Sequence, residues 1–193
     1  LVRDFGAELT AFGYASSPLV LGSRVYLPAG GRNAALVALD TVTGKTIWTT
    51  GNDAPSYTSV LPIQMCGKTQ LVAFLHSALV SFAPESGREL WRDSWPAGDE
   101  HAAWPVYAPP YLFCATPDDR GARVLRLDAE HDRRAPVRVW QRGDLTNDIC
   151  SSVVVEGYIY GFHNSHPQAD ENGRTPGTFT CVDIRTGSTT WAT

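Results

Sequence analysis

Cysteine is scarce in this sequence. Cys66, Cys114, Cys150 and Cys181 stand 48, 36 and 31 positions apart, so neither a CxxC motif nor an adjacent Cys-Cys pair occurs. Four cysteines in 193 residues are too few for a disulfide scaffold. They read as small buried hydrophobes, with Cys150–Cys181 the one pairing worth naming. No uninterrupted apolar run approaches the roughly 18 residues that mark a transmembrane helix, which predicts no transmembrane segment. No basic stripe is present either. Sixteen Lys and Arg against twenty Asp and Glu are mixed along the chain, for a net charge of −4, which argues against a nucleic-acid partner. No serine lies in a GxSxG elbow, and neither GxxxxGK[ST] nor GxGxxG occurs, so hydrolase and nucleotide-phosphate chemistry have no support. The first residue is Leu, and no charged stretch followed by an apolar one opens the chain as a signal peptide would. The expectation is a piece of a longer protein, or a mature form whose leader has been removed.

What is present is globular. Hydrophobic residues make up 43% and charged residues 19%, and mean hydropathy is −0.17. These values exclude disorder for the chain as a whole, and the length suits one domain. Seventeen Gly and thirteen Pro point to many turns.

Tryptophan carries the organising signal. Three of the six sit four residues after a Gly, in ALDTVTGKTIW (Ala38 to Trp48), SFAPESGRELW (Ser81 to Trp91) and CVDIRTGSTTW (Cys181 to Trp191). A degenerate fourth copy, RLDAEHDRRAPVRVW (Arg126 to Trp140), keeps Asp128 and Trp140 but replaces the Thr-Gly turn by an insertion. Successive Trp are 43, 49 and 51 residues apart, a period proper to four-stranded propeller blades. Each copy reads as strand, tight turn, strand. Gly sits where the turn needs positive φ, and the Asp with Thr or Ser can bond main-chain N–H groups there.

Upstream segments supply a second hairpin per unit. Ser17–Val20 with Arg24–Leu27 flanks Gly22-Ser23, Val60–Ile63 with Gln70–Leu75 flanks Cys66-Gly67-Lys68, and Val153–Val155 with Tyr158–Tyr160 flanks Glu156-Gly157. A weaker copy pairs Val106-Tyr107 with Tyr111–Cys114 around Pro109-Pro110. No stretch sustains a 3.6-residue apolar period. The chain is predicted to be all-β, built of four-stranded antiparallel meanders. The indoles should be wedged between successive sheets, because a lone sheet cannot bury both faces.

The phrase Ala38-x-Asp40-x-x-Thr43-Gly44-x-x-x-Trp48 resembles the tryptophan-docking motif of the PQQ-like (quinoprotein alcohol dehydrogenase-like) β-propeller repeat family, the bacterial PQQ-binding-like repeat proteins that include the assembly lipoprotein BamB. The copies ending at Trp91 and Trp191 match in Gly and Trp but start on Ser81 and Cys181, and Ala83 replaces the usual Asp. Gly13–Val20 and Gly157–Phe162 are similar to the same family. The resemblance implies a β-propeller of four-stranded blades, usually seven or eight. About four are present, roughly residues 14–50, 51–95, 96–142 and 143–193, so residues 1–193 form a single partial propeller whose missing blades belong to the same polypeptide, with a minimal four-bladed closure as the rival. It also implies a periplasmic or other extracytoplasmic location in the bacterial cell envelope.

Catalysis is the weaker expectation. Pyrroloquinoline quinone (PQQ)-dependent dehydrogenases of this family hold Ca²⁺ and the quinone, with a catalytic Asp and often a vicinal disulfide. No Cys-Cys pair and no alignable Glu and Asn pairing is found, so no catalytic, cofactor or metal residue is assigned and no cofactor is predicted. PQQ and Ca²⁺ enter only under the alternative, a dehydrogenase fragment whose catalytic residues lie in missing blades. Asn147-Asp148 is the nearest candidate pair and reads instead as a polar turn. His163-x-x-His166, with Asp170 and Glu171 following, has metal-like spacing but reads as a surface loop spanning 163–178. His76 reads as a satisfied strand residue, and His101 and His131 as residues of polar loops. Asp118-Asp119-Arg120-Gly121 and Asp128 to Arg134 lack the calcium-loop register and read as solvated hairpins. Trp95-Pro96 and Trp104-Pro105 form either an exposed aromatic patch or a linker covering the core rim, the latter being preferred. Ser16-Ser17, Tyr57-Thr58-Ser59 and Ser151-Ser152 recur before the innermost strands and read as packing groups. A WD40-type adaptor lacks its Gly-His and Trp-Asp signatures. The function expected is a non-catalytic binding or scaffold module, its ligand or protein partner unspecified.

Overall fold

The computed structural model describes residues 5–7, 10–95, 101–117, 120–127, 135–147, 149–163 and 177–193. Among these, sixteen strands form four antiparallel sheets, each of four strands in sequence order. The first contains β1 (Leu19–Leu21), β2 (Arg24–Gly31), β3 (Ala34–Asp40) and β4 (Thr46–Thr50). The second contains β5 (Leu61–Met65), β6 (Lys68–Phe74), β7 (Ala78–Phe82) and β8 (Glu89–Ser94). The third contains β9 (Val106–Ala108), β10 (Tyr111–Ala115), β11 (Ala122–Arg126) and β12 (Val137–Arg142). The fourth contains β13 (Val153–Val155), β14 (Tyr158–His163), β15 (Thr178–Asp183) and β16 (Thr189–Ala192). These are the blades of a partial β-propeller. The first two sheets make one compact unit and the last two another.

Short hairpins set the meander. Cys66 and Gly67 both have positive φ, as do Glu156 and Gly157. That pairing gives the two-residue turn whose twist matches the strands it joins. The motif turn is the same in three sheets. Gly44, Gly87 and Gly187 have φ of 66°, 68° and 74°, and their N–H groups bond the carbonyls of Asp40, Ala83 and Asp183 at 2.9, 2.8 and 2.8 Å. The Asp40 carboxylate adds bonds from Val42 N (3.1 Å), Thr43 N (2.7 Å) and Thr43 Oγ1 (2.7 Å). The Thr43 hydroxyl and N–H hold that carboxyl below its usual range. Ala83 lacks these side-chain bonds, yet the turn keeps its backbone pattern, so the main chain and glycine define it.

A register shift follows at the equivalent place between the last two strands of every sheet, at Ala38/Leu39, Ser81/Phe82, Val124/Leu125 and Cys181/Val182. In each, the residue before the shift lies across from the motif Trp. A bulge here re-aims the outer strand. In the third sheet Val124 faces Trp140, two residues earlier than Arg126, with which the degenerate copy was expected to start.

Burial follows strand position. All five residues of β7 are buried, whereas β16 is exposed throughout. Inner strands covered on both faces read as apolar runs rather than alternations. In the first unit, Leu36, Leu71, Val80 and Phe82 join one core with Trp48 packed against it. In the second, Phe113, Val124, Ile159 and Val182 form the equivalent.

Two sequence expectations fail here. All four cysteines are free, with no Cys150–Cys181 bridge; Cys114 and Cys181 are buried as expected, but Cys66 and Cys150 are exposed. Cys66 occupies a hairpin turn at φ 52°, where a side chain has no sheet to pack on. His76 is exposed in the bend between β6 and β7, not within a strand, because the chain reverses directly after Leu75.

Candidate functional site

Two faces show what the motif indole does. In the first unit Trp48 leaves β4 half-buried and donates from Nε1 to the Pro84 carbonyl of the second sheet's turn at 3.0 Å. Tyr26 Oη and Arg24 Nη1 donate to the same oxygen, each at 3.2 Å. Tyr26 and Trp48 pack with ring centroids 5.7 Å apart. A Cβ on Gly87 would lie 2.6 Å from Trp48 Cε3, so glycine is required by close approach as well as by φ.

The second unit repeats this with the degenerate copy. Trp140 Nε1 donates to Ile184 O at 2.8 Å, Phe113 packs 6.2 Å from its ring, and a Cβ on Gly187 would come within 2.9 Å of Trp140 Cδ2. Pro84 and Ile184 hold the same place in their turns. The expectation of wedged indoles therefore holds for Trp48 and, less foreseeably, for Trp140. Trp91 is buried but bonds within its own sheet, to Gln70 Oε1 at 2.9 Å.

The fourth sheet presents the same kind of face uncovered. Tyr160, Phe162, Phe179 and Trp191 share it by register, together with Val153 and Val155. The rings form a run: Phe162 to Phe179 at 4.9 Å, Phe179 to Trp191 at 5.7 Å, Trp191 to Tyr160 at 6.1 Å. Trp191 is 43% exposed, Phe162 55%, Val153 57% and Val155 54%. Contiguous exposed apolar surface of this kind marks an interaction site. Sequence reasoning found Trp191 but not its aromatic neighbours, although Tyr160, Phe162 and Phe179 alternate along β14 and β15 as a face requires.

The other residues singled out in the sequence are mostly spent on structure. Asn147 is buried, donating from Nδ2 to Phe162 O at 2.7 Å and accepting from Ser152 Oγ at 2.9 Å. Ser56 and Thr58 hydroxyls both donate to Phe74 O, at 2.5 and 2.8 Å. Ser59 Oγ accepts from Ser17 N at 2.7 Å, and Ser151 Oγ from Trp104 N at 2.8 Å. His163 is buried with Nδ1 3.2 Å from Thr146 O; burial pushes its pKa down, against the pull of that carbonyl, which favours neutral imidazole. His101 lies outside the strands, as expected, but is fully buried. Trp95 is buried against Phe74 at 5.2 Å, whereas Trp104 is 42% exposed, so the two indoles divide between core rim and surface. Asp118, Asp119, residues 128–134, Asp148, His166, Asp170 and Glu171 lie outside the described residues, and so does Pro96.

Among the described residues no three His, Cys, Asp or Glu side chains are placed to hold a metal ion, and the four free cysteines offer no vicinal disulfide. Among the described residues, no helix is long and apolar enough to cross a membrane.

A comparison with curated proteins returns no match. Among solved structures, BamB from Moraxella catarrhalis is 17% identical, with a TM-score of 0.51 over 94% of this chain and 64% of that one. Quinohemoprotein alcohol dehydrogenase from Comamonas testosteroni is 16% identical, with a TM-score of 0.60 over 94% of this chain and 35% of the other. A quinohemoprotein alcohol dehydrogenase from Pseudomonas putida HK5 is 14% identical, with a TM-score of 0.63 over 94% and 34%. This chain thus spans just under two thirds of the BamB chain and about a third of the dehydrogenases. At these identities the likeness is one of fold. Residues 6–193 match the family described as outer membrane protein assembly factor BamB, and the chain, with its docked indoles and repeated four-stranded sheets, belongs to that family.

Proposed function

We propose that the chain is a non-catalytic PQQ-like repeat β-propeller that acts as a binding and scaffold module in the bacterial cell envelope. The exposed aromatic face of the fourth sheet carries the reading. Trp48 and Trp140 define what such a face accepts: a turn that brings glycine flat against the indole and a main-chain carbonyl to its N–H. The occupant we assign is a further blade of the same polypeptide, completing a rigid ring from which loops engage other envelope proteins. The assembly-factor description of the family supports a protein-binding role and an extracytoplasmic place. Neither PQQ nor Ca²⁺ has a part in this reading.

The test uses full-length protein in its native cells, with a photo-crosslinking phenylalanine analogue at position 191 and, as control, at exposed Val42. Crosslinks from 191 into another blade of the same chain, together with protein adducts elsewhere on the ring, are expected. Crosslinks no stronger than from position 42 would remove the docking face. A stoichiometric visible absorption change when purified protein meets PQQ and Ca²⁺ would overturn the non-catalytic reading in favour of a quinoprotein dehydrogenase.

A further inference from the structure

The segment that follows β12 is a strap laid against β14. Leu145, Thr146 and Asn147 are all buried, although none of them lies in a strand. Leu145 packs in the core with Ile159 and Val182. Asn147 N donates to Thr116 O at 3.2 Å, and the Asn147 side chain joins Phe162 O to Ser152 Oγ. A further tie comes from His163, the last residue of β14, whose Nδ1 meets the Thr146 carbonyl at 3.2 Å.

That bond fixes the tautomer. A carbonyl oxygen only accepts, so Nδ1 carries the proton and Nε2 keeps a bare lone pair. Nε2 is buried and has no hydrogen-bond partner, and His163 as a whole is 3% exposed. A second proton would make Nε2 a charged donor in the interior with nothing to receive it. A buried charge without a partner is far more costly than a buried neutral atom without one. Two charged groups act on the ring in opposite senses: Arg142 of β12 opposes imidazolium and Asp144 favours it. They grip each other through bonds of 3.0 and 2.6 Å. Arg142 holds the Asp144 carboxyl below its usual range, so neither changes charge where histidine titrates. On β15 the residue across from His163 is Thr178, which does not titrate. Burial is the largest influence on the imidazole, and it pushes the pKa down.

We infer that His163 is an acid-sensitive latch on this strap: a proton taken from solvent by Nε2 cannot be held inside, so the ring leaves the Thr146 carbonyl and residues 144–147 open. In the open state the imidazole is solvated and takes its ordinary pKa of about 6.5, whereas in the closed state its pKa is lower. The closed strap is therefore fully favoured above about pH 6.5. Below that, the opening constant rises by up to about tenfold per pH unit, until the pH reaches the closed-state pKa and the gain stops. Opening also releases the Phe162 carbonyl, and the Phe162 ring stands at one end of the exposed aromatic run, so acid loosens that face. This consequence rests on the docking function proposed above, whereas the latch does not.

Amide hydrogen exchange, corrected for intrinsic rates and followed by NMR from pH 7.5 to 5, tests the latch. Protection of the Asn147 N–H is expected to fall by up to about tenfold per pH unit below about 6.5, while the β6 amides of the first unit keep theirs. The ¹⁵N signals of the His163 ring should remain those of the neutral Nδ1–H tautomer in the closed form below that pH. His163→Asn keeps a short side-chain donor near the Nδ1 position but takes no proton, so its Asn147 protection should no longer depend on pH. The ring signals of the parent protein decide the question if this variant does not fold. Protection independent of pH in the parent, an undiminished pH slope in His163→Asn, or a ring that gains its second proton near pH 6.5 with the strap still closed would overturn the latch. Crosslinks from position 191 no stronger than those from position 42 would remove the docking reading and leave the latch standing.

Discussion

Gly44 and Gly87 occupy the same position of the same turn, with φ of 66° and 68°. Their surroundings differ: a Cβ on Gly44 would meet nothing within 4 Å, whereas on Gly87 it would strike the Trp48 ring. Gly44→Ala should therefore cost only the left-handed strain, about 1–2 kcal/mol. Gly87→Ala adds overpacking and should cost roughly 3 kcal/mol. Urea denaturation of both variants measures the difference. In a Trp48→Ala background the added cost of Gly87→Ala should fall to about the Gly44 value, since the clashing ring is gone. Equal losses at the two glycines would show that the indole does not press on the turn.

Between elements, one ion pair fastens the loop after β4 to an outer strand. Arg92 on β8 grips Asp53 through two bonds of 2.9 Å, and Ser77 adds a third at 2.5 Å. Glu89 holds the other side of the guanidinium at 2.9 Å. Burial alone would raise the Asp53 pKa; the Arg92 and Ser77 hydrogen bonds outweigh it and the net shift is downward. The Asp53 side chain is 10% exposed and Arg92 32%, so the pair is worth more than a fully solvated one. The native state thus binds protons at Asp53 less readily than the unfolded chain. The resulting stability is present above the ordinary Asp pKa of about 4 and is lost as pH falls through the lowered native value. Asp53→Asn should be less stable at pH 7 by roughly 1–2 kcal/mol and should lose less stability than the parent on acidification from pH 5 to 2. Denaturant midpoints at three pH values decide it, and parallel profiles for parent and variant would exclude the pair as an acid-sensitive clasp.

At the scale of the whole molecule, the tryptophans sort by what lies against them. Trp140 has a ring partner, a carbonyl acceptor and a glycine beneath it. Trp191 has ring partners in its own sheet and remains 43% exposed. Trp140→Ala should therefore cost about 2–4 kcal/mol, scaled down from a fully buried indole, and Trp191→Ala about 1 kcal/mol or less. Thermal unfolding of the two single variants in this chain measures both. A Trp191 loss as large as that of Trp140 would mean that the fourth sheet's face is already covered.

Local chemistry was legible in the sequence. The Thr-Gly turns, the hairpins at Gly22, Gly67 and Gly157, and the four-strand period are set by residues close in the chain, because turn conformation is decided by whether a Cβ fits. Asn147 was recognised, but not that its amide joins Ser152 to the β14 main chain. Trp140 was recognised within a degraded copy, but its docking onto Ile184 links residues 44 positions apart. The burial of His101 and the exposure of Cys66, Cys150 and His76 were missed for one reason: solvent access depends on which segment covers which, and composition says little about that. The sequence by itself determined that this chain would form repeated antiparallel sheets, each carrying an indole and three of them turning at a motif glycine. Only the tertiary structure decided which indoles find a neighbour's carbonyl, which face stays open, and that the buried His163 ring meets a carbonyl on one nitrogen alone, since each depends on a partner brought close by packing.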